Sequence, residues 1–376
     1  MHMSEHVGER FREFRKRSAV TQSQVAEVLA LDTSAVSRIE NGERHLSAFE
    51  LGVLAQAFGW DPREILGMER ARPKLALAAR LRKSGSKPDH AFERMAALVE
   101  VDALLDDVGL QDAATGLLVQ SFRPAPTGVD MAKREGRELA ETVLAKSPLT
   151  TSTSDLIGFA EKSLGVDVVV ADVLGDCDGA VAVGERVAIA IVDIAAMSGR
   201  QRFTLAHEIG HAIAGDVNEV YVDHGNQEPL VETRADSFAA NLLMPADATR
   251  SILGSQPGPV ELVEAMVSFG VSWTALRRRC DDLHIVLAEN VQGATGRELF
   301  AAAGRLAEEA RVSAPIPARI PARLDRRVRK AYSSALVGAG VVAMTYGISG
   351  DNLERVLESM QLDYEIPRPQ ERTVAR

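Results

Sequence analysis

The chain has 376 residues, of which 46% are hydrophobic and only 5% aromatic. This length exceeds one ordinary domain, and the composition is that of a globular protein with two or three cores. The formal net charge of −10 excludes a surface that coats nucleic acid throughout, although it permits a local basic patch. The only two cysteines, Cys177 and Cys280, are far apart, which predicts a reducing cytoplasmic location without disulfides. Because no apolar run has bilayer-spanning length, we expect no membrane partner.

Five short helices are predicted for residues 4–67. Thr21 is the expected N-cap of a helix over 22–29, and a three-residue turn leads to a helix over 33–40 that ends at Asn41. Two short helices joined by such a turn are typical of the helix-turn-helix, whose second helix lies in the major groove of DNA. The pattern therefore indicates a DNA-binding module.

Segments 21–26 and 34–42 resemble the phage-repressor-like (XRE/Cro) DNA-binding family. This resemblance implies that Thr33, Ser34, Ser37 and Arg38 contact bases, and that Gln22, Asn41 and Arg44 contact the DNA backbone. Hydroxyls and arginines suit base edges, while amides and arginines suit phosphates, so the side-chain chemistry agrees. The expected partner is double-stranded operator DNA, and palindromic half-sites imply a homodimer. The alternatives are a small helical bundle with solvated charges and one that binds protein instead of DNA.

Residues 68–128 are predicted to form a helical connector. A basic run from Arg70 to Lys83 is expected on a solvated helix face, although it could extend the contact with DNA. Helical periodicity returns over 89–108. This connector carries no residue to which we assign chemistry.

Residues 129–254 have the order of elements of an α+β domain. Helical periodicity is followed by β-rich runs at 166–170, 180–183 and 187–192, and then by a helix expected over 200–214. The last of these helices carries the motif with the clearest chemistry.

The segment His207-Glu208-Ile209-Gly210-His211 places two imidazoles one turn apart on one helix face. Histidines at this spacing bind zinc in metallopeptidases, and the intervening glutamate can accept a proton from water. A catalytic zinc has three protein ligands, and Glu232 is the candidate for the third. Asp236, one turn after Glu232, is expected to accept a hydrogen bond from a ligand histidine.

Segments 203–211 and 235–245 resemble the ImmA/IrrE family of metallopeptidases, whose members cleave or otherwise inactivate helix-turn-helix repressors. The resemblance implies that His207, His211 and Glu232 bind one zinc ion, with manganese as the alternative, and that Glu208 is the general base. This chain departs from the family at Arg234, where an acidic residue is usual.

A second donor to the developing oxyanion is also expected near the metal. Tyr221 and His224, between the two ligand helices, are the nearest candidates as catalytic residues. The alternative, which we favour for each, is a simple loop residue.

Residues 255–376 are predicted to be helical, with a proline-rich linker near Pro317 and a basic helix after it. The expected fold class is therefore multidomain. It comprises an all-α helix-turn-helix domain (4–67), a helical connector (68–128), an α+β zincin-like metallopeptidase domain (129–254) and a helical C-terminal region (255–376).

The favoured hypothesis is a DNA-binding transcription regulator with a gluzincin-like metalloendopeptidase domain. Stress or a ligand would trigger cleavage of the chain itself or of a partner repressor. The alternative is a transcription factor, such as an antitoxin-like autorepressor, whose zincin-like domain only senses or scaffolds. In a third hypothesis, the N-terminal module recruits protein to a peptidase.

Overall fold

The computed structural model describes residues 2–18, 20–58, 60, 65–66, 76–81, 89–112, 124–147, 155–172, 177–184, 187–196, 198–216, 220–222 and 230–362. The chain divides into two compact units. One unit comprises Met1–Pro73, Ala97–Gln111 and Leu324–Arg376, and the other comprises Lys74–Ala96 and Asp112–Arg323.

The N-terminal helices of the first unit are α1 (His2–Arg17), α2 (Gln22–Leu29), α3 (Thr33–Glu40) and α4 (Ala48–Phe58). The Thr21 side chain accepts a hydrogen bond from the backbone N–H of Gln24, and Asp32 accepts one from Ala35 at the start of α3. These caps fix the two ends of the turn between α2 and α3. The helices expected over 22–29 and 33–40 are therefore confirmed. Of the predicted fifth helix, the structure describes only 65–66, which are helical.

The core of these helices is apolar and aromatic. Phe11 on α1, Val36 and Ile39 on α3, and Leu54 on α4 are 0–1% exposed and belong to one cluster. Burial of this set positions α3 with one face inward and its other face outward.

The first unit also contains the C-terminal helices and the end of a connector helix. These elements are α5 (Asp89–Asp107), of which the last part belongs here, α16 (Ala322–Ser333), α17 (Ala339–Tyr346) and α18 (Gly350–Leu362). Arg327 on α16 is 5% exposed and donates hydrogen bonds to the Asp106 carboxylate at 2.6 Å and the Leu110 carbonyl at 2.7 Å. A buried arginine with several acceptors fixes the contact between α16 and the end of α5.

The second unit is built on a five-stranded mixed sheet in the order β2-β4-β3-β1-β5. The strands are β1 (Ala76–Leu81), β2 (Val166–Ala171), β3 (Cys177–Val183), β4 (Ala188–Asp193) and β5 (Val220–Val222). β2 runs parallel to β4, β3 is antiparallel to both β4 and β1, and β1 is parallel to β5. The three β-rich runs of the sequence thus form the three adjacent strands β2, β4 and β3.

Residues 76–81 were expected on a solvated helix face, and this interpretation is wrong for them. Alanine, leucine and arginine favour helix, and the segment Ala-Leu-Ala-Ala-Arg-Leu contains nothing else. It forms β1 because its backbone pairs with β3 on one side and β5 on the other. Tertiary pairing here overrides the local preference.

Helices cover the sheet and continue beyond it. They are α6 (Val129–Lys146), α7 (Leu156–Phe159, continued by a π turn over Ala160–Leu164), α8 (Ser198–Ala214), α9 (Leu230–Leu243), α10 (Ala246–Leu253), α11 (Pro259–Phe269), α12 (Trp273–Asp282), α13 (Glu289–Gln292), α14 (Gly296–Ala302) and α15 (Leu306–Ser313). Within the described segments, no helix combines the length and apolar character that a bilayer crossing requires.

Two glycines allow α9 to pack closely against its neighbours. A Cβ on Gly136 of α6 would lie 2.3 Å from the Arg234 carbonyl oxygen and 2.8 Å from the Phe238 nitrogen, both in α9. A Cβ on Gly210 of α8 would lie 3.0 Å from the Phe238 ring and 3.3 Å from the Ala235 Cα. The backbone of α9 therefore occupies space that a side chain would fill.

Gly136→Ala is expected to destabilise the second unit by roughly 1–3 kcal/mol, because the added methyl meets backbone atoms that cannot rotate away. The measurement is the urea concentration at half-unfolding, followed by circular dichroism. Gly293→Ala is the matched control, since φ is −93° there and a Cβ would find no atom within 4 Å. A Gly136→Ala protein that unfolds at the wild-type urea concentration would contradict this packing.

Candidate metal centre

Helix α8 presents one buried face that carries the motif residues. His207, Glu208 and His211 are 1–3% exposed, and Leu205 and Ile209 anchor the helix in the core. The helix ends at Gly215, whose N–H bonds to the His211 carbonyl at 3.0 Å and whose φ of +79° suits glycine. Both histidines are thus held on the last two turns of a helix that is packed along most of its length.

Helix α9 brings a carboxylate to these two histidines. The Glu232 oxygens lie 3.2 Å from His207 Nε2 and 3.2 Å from His211 Nε2. The two Nε2 atoms are 3.0 Å apart, and Glu232 is 2% exposed. One potential ligand atom from each side chain lies within 4.8 Å of the others. The structure therefore brings together the three residues that the sequence suggested as ligands.

The outer nitrogen of each histidine faces a carboxylate. His207 Nδ1 lies 2.7 Å from Asp236 Oδ1, one turn after Glu232 on α9. His211 Nδ1 lies 3.5 Å from Asp216 Oδ2, just beyond the end of α8. With Nδ1 turned to a carboxylate, each ring directs Nε2 toward Glu232. The role of Asp216 was missed because a lone aspartate after a helix has no distinguishing sequence pattern.

Arg234 donates hydrogen bonds to other buried groups and is not one of the candidate ligands. Its side chain is 1% exposed and donates to the carboxylate of Asp216. It also donates to Glu135 Oε2 at 2.8 Å and to the Pro124 carbonyl at 3.0 Å. At the position where the resemblance implies an acidic residue, a buried cation thus lies behind the carboxylate that faces His211.

The charges of the cluster compensate one another. Burial opposes a charged His207, but hydrogen bonds with Asp236 and Glu232 outweigh it and raise the pKa of His207 well above its ordinary value. His211 is equally buried, and its contacts with Asp216 and Glu232 raise its pKa to about 9. Burial would raise the pKa of Glu232, yet the two imidazoles hold it well below its ordinary range. Positive charge between its side chains therefore stabilises the cluster.

These residues fit a divalent metal ion. Two imidazole nitrogens and one carboxylate oxygen form the donor set of one class of catalytic zinc site, which keeps a further position open for water or substrate. A cation at this point would supply the positive charge that protons supply in its absence.

Glu208 lies beside the cluster and against strand β3. It is 1% exposed, and a Cβ added to Gly179 of β3 would lie 3.1 Å from Glu208 Oε1. The same Cβ would lie 2.4 Å from Thr204 Cγ2, so only glycine allows β3 this close to α8. Strand β3 therefore lies against the carboxylate between the two histidines.

Two further candidate residues of this domain, Tyr221 and His224, lie partly or wholly outside the described part of the structure. Tyr221 was expected in a loop, which is wrong, because it lies on β5 and pairs in register with Arg80 of β1. Its side chain is outside the described part of the structure. His224 is outside the described residues altogether. Their role as oxyanion donors stays a prediction.

The candidate DNA-contacting residues lie on and around α3. Thr33, Ser34, Arg38 and Asn41 are exposed, while Ser37, Gln22 and Arg44 are partly buried. Ser34 donates to Asp32 at 2.6 Å. Gln22 donates to Glu40 at 2.8 Å and Arg44 to Glu50 at 2.6 Å. These three polar side chains are pre-positioned by intramolecular bonds, while Arg38 points its charge into solvent.

Arg234→Met is expected to destabilise the second unit by roughly 3–5 kcal/mol, because Asp216 and Glu135 would lose their common cation inside the protein. Thermal unfolding followed by circular dichroism measures the loss. Arg200→Met is the matched control: Arg200 pairs with Asp178, but its side chain is 60% exposed, so its removal should cost about 1 kcal/mol or less. Equal melting temperatures for the two variants would contradict the buried network.

Comparison with known proteins finds similarity for the N-terminal helices and for the region that carries the candidate metal centre. Residues 6–66 match a family model described as a helix-turn-helix domain, and residues 189–281 match an IrrE N-terminal-like domain. The chain is also 34% identical to "Radiation response metalloprotease IrrE" of Deinococcus radiodurans over 139 residues. This stretch is 35% of the present chain and spans only 40% of that relative's length. The chain thus joins an XRE-like helix-turn-helix domain to a metallopeptidase domain of the IrrE/ImmA-like type.

Proposed function

We propose that this protein is a DNA-binding transcription regulator whose IrrE-like domain is a metal-dependent endopeptidase. The observation that carries the proposal is the buried convergence of His207, His211 and Glu232 within 4.8 Å, with Glu208 on the same helix face. A purely structural helix pair has no need to bury two histidines and two glutamates together, because each buried polar group costs free energy unless it is compensated.

His207 and His211, through Nε2, and the Glu232 carboxylate would hold the ion. Zinc is the expected metal, and manganese is the alternative. When bound in such a site, the ion makes a water molecule more acidic and polarises a peptide carbonyl. Asp236 and Asp216 keep the two imidazoles oriented, and the ion pair with Arg234 holds the Asp216 carboxylate in place.

Glu208 would act as the general base. Its carboxylate would take a proton from the water that attacks the peptide carbonyl. The same group would then return the proton to the amine of the broken C–N bond. Strand β3 lies so near at Gly179 that an added Cβ would be 3.1 Å from Glu208 Oε1, and this limits the positions that the carboxylate can adopt.

The substrate would be the chain itself or a partner repressor. A helix-turn-helix domain in the same chain supplies a protein of the class that such peptidases act on, and the IrrE relative is described as a radiation response protein. We therefore propose that stress or a ligand triggers cleavage, and that cleavage changes the occupancy of an operator.

Operator binding would use the exposed side of α3. Arg38 and Thr33 are exposed there, and Val36 and Ile39 fix the opposite side in the core. Because operators of this kind are palindromic, a homodimer would bind.

Glu208→Gln should retain one equivalent of metal and lose peptide cleavage by a factor of about 10²–10⁴, because the amide cannot accept the proton. Mass spectrometry of the intact chain, and of a proteome-derived peptide library incubated with it, measures cleavage. Metal content is measured on chelator-free protein. His207→Ala is expected to lose the metal, and the exposed His90→Ala should keep both metal and activity.

Two outcomes would overturn the peptidase proposal. One is a wild-type chain that binds no stoichiometric metal. The other is a Glu208→Gln chain that cleaves as fast as the wild type. If the regulatory response survives in that variant, the domain serves only as a scaffold.

Arg38→Ala should weaken operator binding about 5- to 150-fold, which corresponds to the loss of about 1–3 kcal/mol from one base-reading arginine. Fluorescence anisotropy with a labelled promoter fragment at fixed salt is the measurement. Arg355→Ala, which removes an equal charge from an exposed position on α18, is the control. Equal affinity of the two variants would contradict base contact by Arg38.

A further inference from the structure

Strand β3 meets two demands of a peptide-binding edge. It lies next to α8, with Gly179 against the Glu208 carboxylate. It is also antiparallel to β4, so its other edge presents backbone N–H and C=O groups outward for an additional strand. An extended peptide can bind such an edge through main-chain hydrogen bonds, a recognition mode that tolerates varied side chains.

The edge is covered by residues 76–81 of the same chain. Residues 76–79 of β1 pair in register with 183–180 of β3, and Leu81 pairs with Cys177. β1 begins at residue 76, about 100 residues before β3 in the sequence. It follows the end of the helix-turn-helix match at residue 66 by ten residues. The strand that pairs with β3 beside α8 is therefore a segment of the connector.

The register of this pairing shifts next to Glu208. Between the pairs Ala79–Ala180 and Leu81–Cys177, one residue of β1 (Arg80) stands opposite two residues of β3 (Asp178 and Gly179). Such two-against-one irregularities bend a strand and recur next to active sites. Here the irregularity includes the glycine that contacts the candidate general base. The middle of β1 thus lies where a bound peptide would pass the site.

The sequence of β1 suits an exchangeable occupant. Alanine is depleted in strands, and alanine, leucine and arginine are all strong helix formers. The strand state of residues 76–81 therefore depends on pairing with β3 and β5 rather than on intrinsic preference. A peptide with higher strand propensity could form the same main-chain bonds and replace it.

We infer that the outer edge of β3 is a binding site for an extended peptide and that residues 76–81 occupy this site in cis. The inference rests on the proposed peptidase function, because it names where the substrate backbone binds. A peptide supplied in trans must displace β1 before it can pass Glu208. The connector is thereby an internal competitor, covalently joined to the DNA-binding domain.

The test measures peptide binding with β1 locked in place or released. The probe is a fluorescein-labelled synthetic peptide of residues 73–84, and binding is followed by anisotropy. All proteins carry Glu208→Gln so that the probe is not cut. Leu81→Cys locks β1, because residue 81 pairs with native Cys177 and cross-strand Cα atoms at about 4.5–5.5 Å accept a disulfide.

The oxidised Leu81→Cys chain should not bind the probe, and reduction should restore binding. The matched control, Leu81→Cys with Cys177→Ser, should bind equally under both conditions. The double substitution Ala78→Pro and Ala79→Pro removes backbone N–H donors of β1 and so weakens its pairing. This variant should bind the probe at least about tenfold more tightly than the parent, because a cis competitor acts at roughly millimolar effective concentration. A probe carrying the same two prolines should not bind.

Equal binding by the oxidised and reduced chains would overturn the inference, as would failure of the disulfide to form. A folded double-proline chain that binds no more tightly would overturn it too; if that chain is unfolded, the cysteine pair alone decides. Binding without cleavage by any Glu208-containing chain would contradict only the proposed function. Cleavage of peptides by the oxidised lock in its Glu208 form would contradict only the inference.

Discussion

The close contact of α9 with α8 and α6 is the constraint on which the candidate metal centre depends. Glu232 reaches two histidines on a different helix only because Gly210 lets the α9 backbone approach α8. Gly136 permits the same approach from α6. The glycine within the His-Glu-Ile-Gly-His segment is therefore part of the site, although it carries no side chain. A methyl at Gly136 would overlap backbone atoms of α9, and a methyl at Gly210 would require Phe238 and α9 to shift by a few tenths of an ångström.

The second property of the site is that its charges alternate outward from Glu232. Glu232 lies between the two imidazoles, Asp236 and Asp216 lie behind them, and Arg234 lies behind Asp216. Each group lies next to one of opposite charge, and this attraction offsets the free energy that a buried charge loses on leaving water. The arginine that departs from the family pattern fits this order, since it neutralises Asp216 and Glu135 without approaching the ligand atoms.

Local features of the fold could be predicted from the sequence, and long-range ones could not. The bounds of α2 and α3 follow from caps within three residues, and the strands β2 and β4 follow from runs rich in valine, isoleucine and alanine. The pairing of His207 with His211 follows from helix geometry. Strand β1 contradicts its own composition, and the contact of Arg234 with Glu135 joins residues 99 positions apart. Neither leaves a periodic signal, because both depend on packing formed only in the folded chain.

The position of β1 connects the two proposed activities through the chain itself. If the connector fills the edge of β3, the metal centre can be complete and still closed to other peptides, so regulation requires no change in the ligands. The free energy that keeps the edge of β3 closed is the difference between the pairing of β1 with β3 and the pairing of a competing strand with β3. This difference is small for a segment with weak strand propensity. Under the proposed function, a change in the pairing of β1 with β3 would then be enough to open or close this edge.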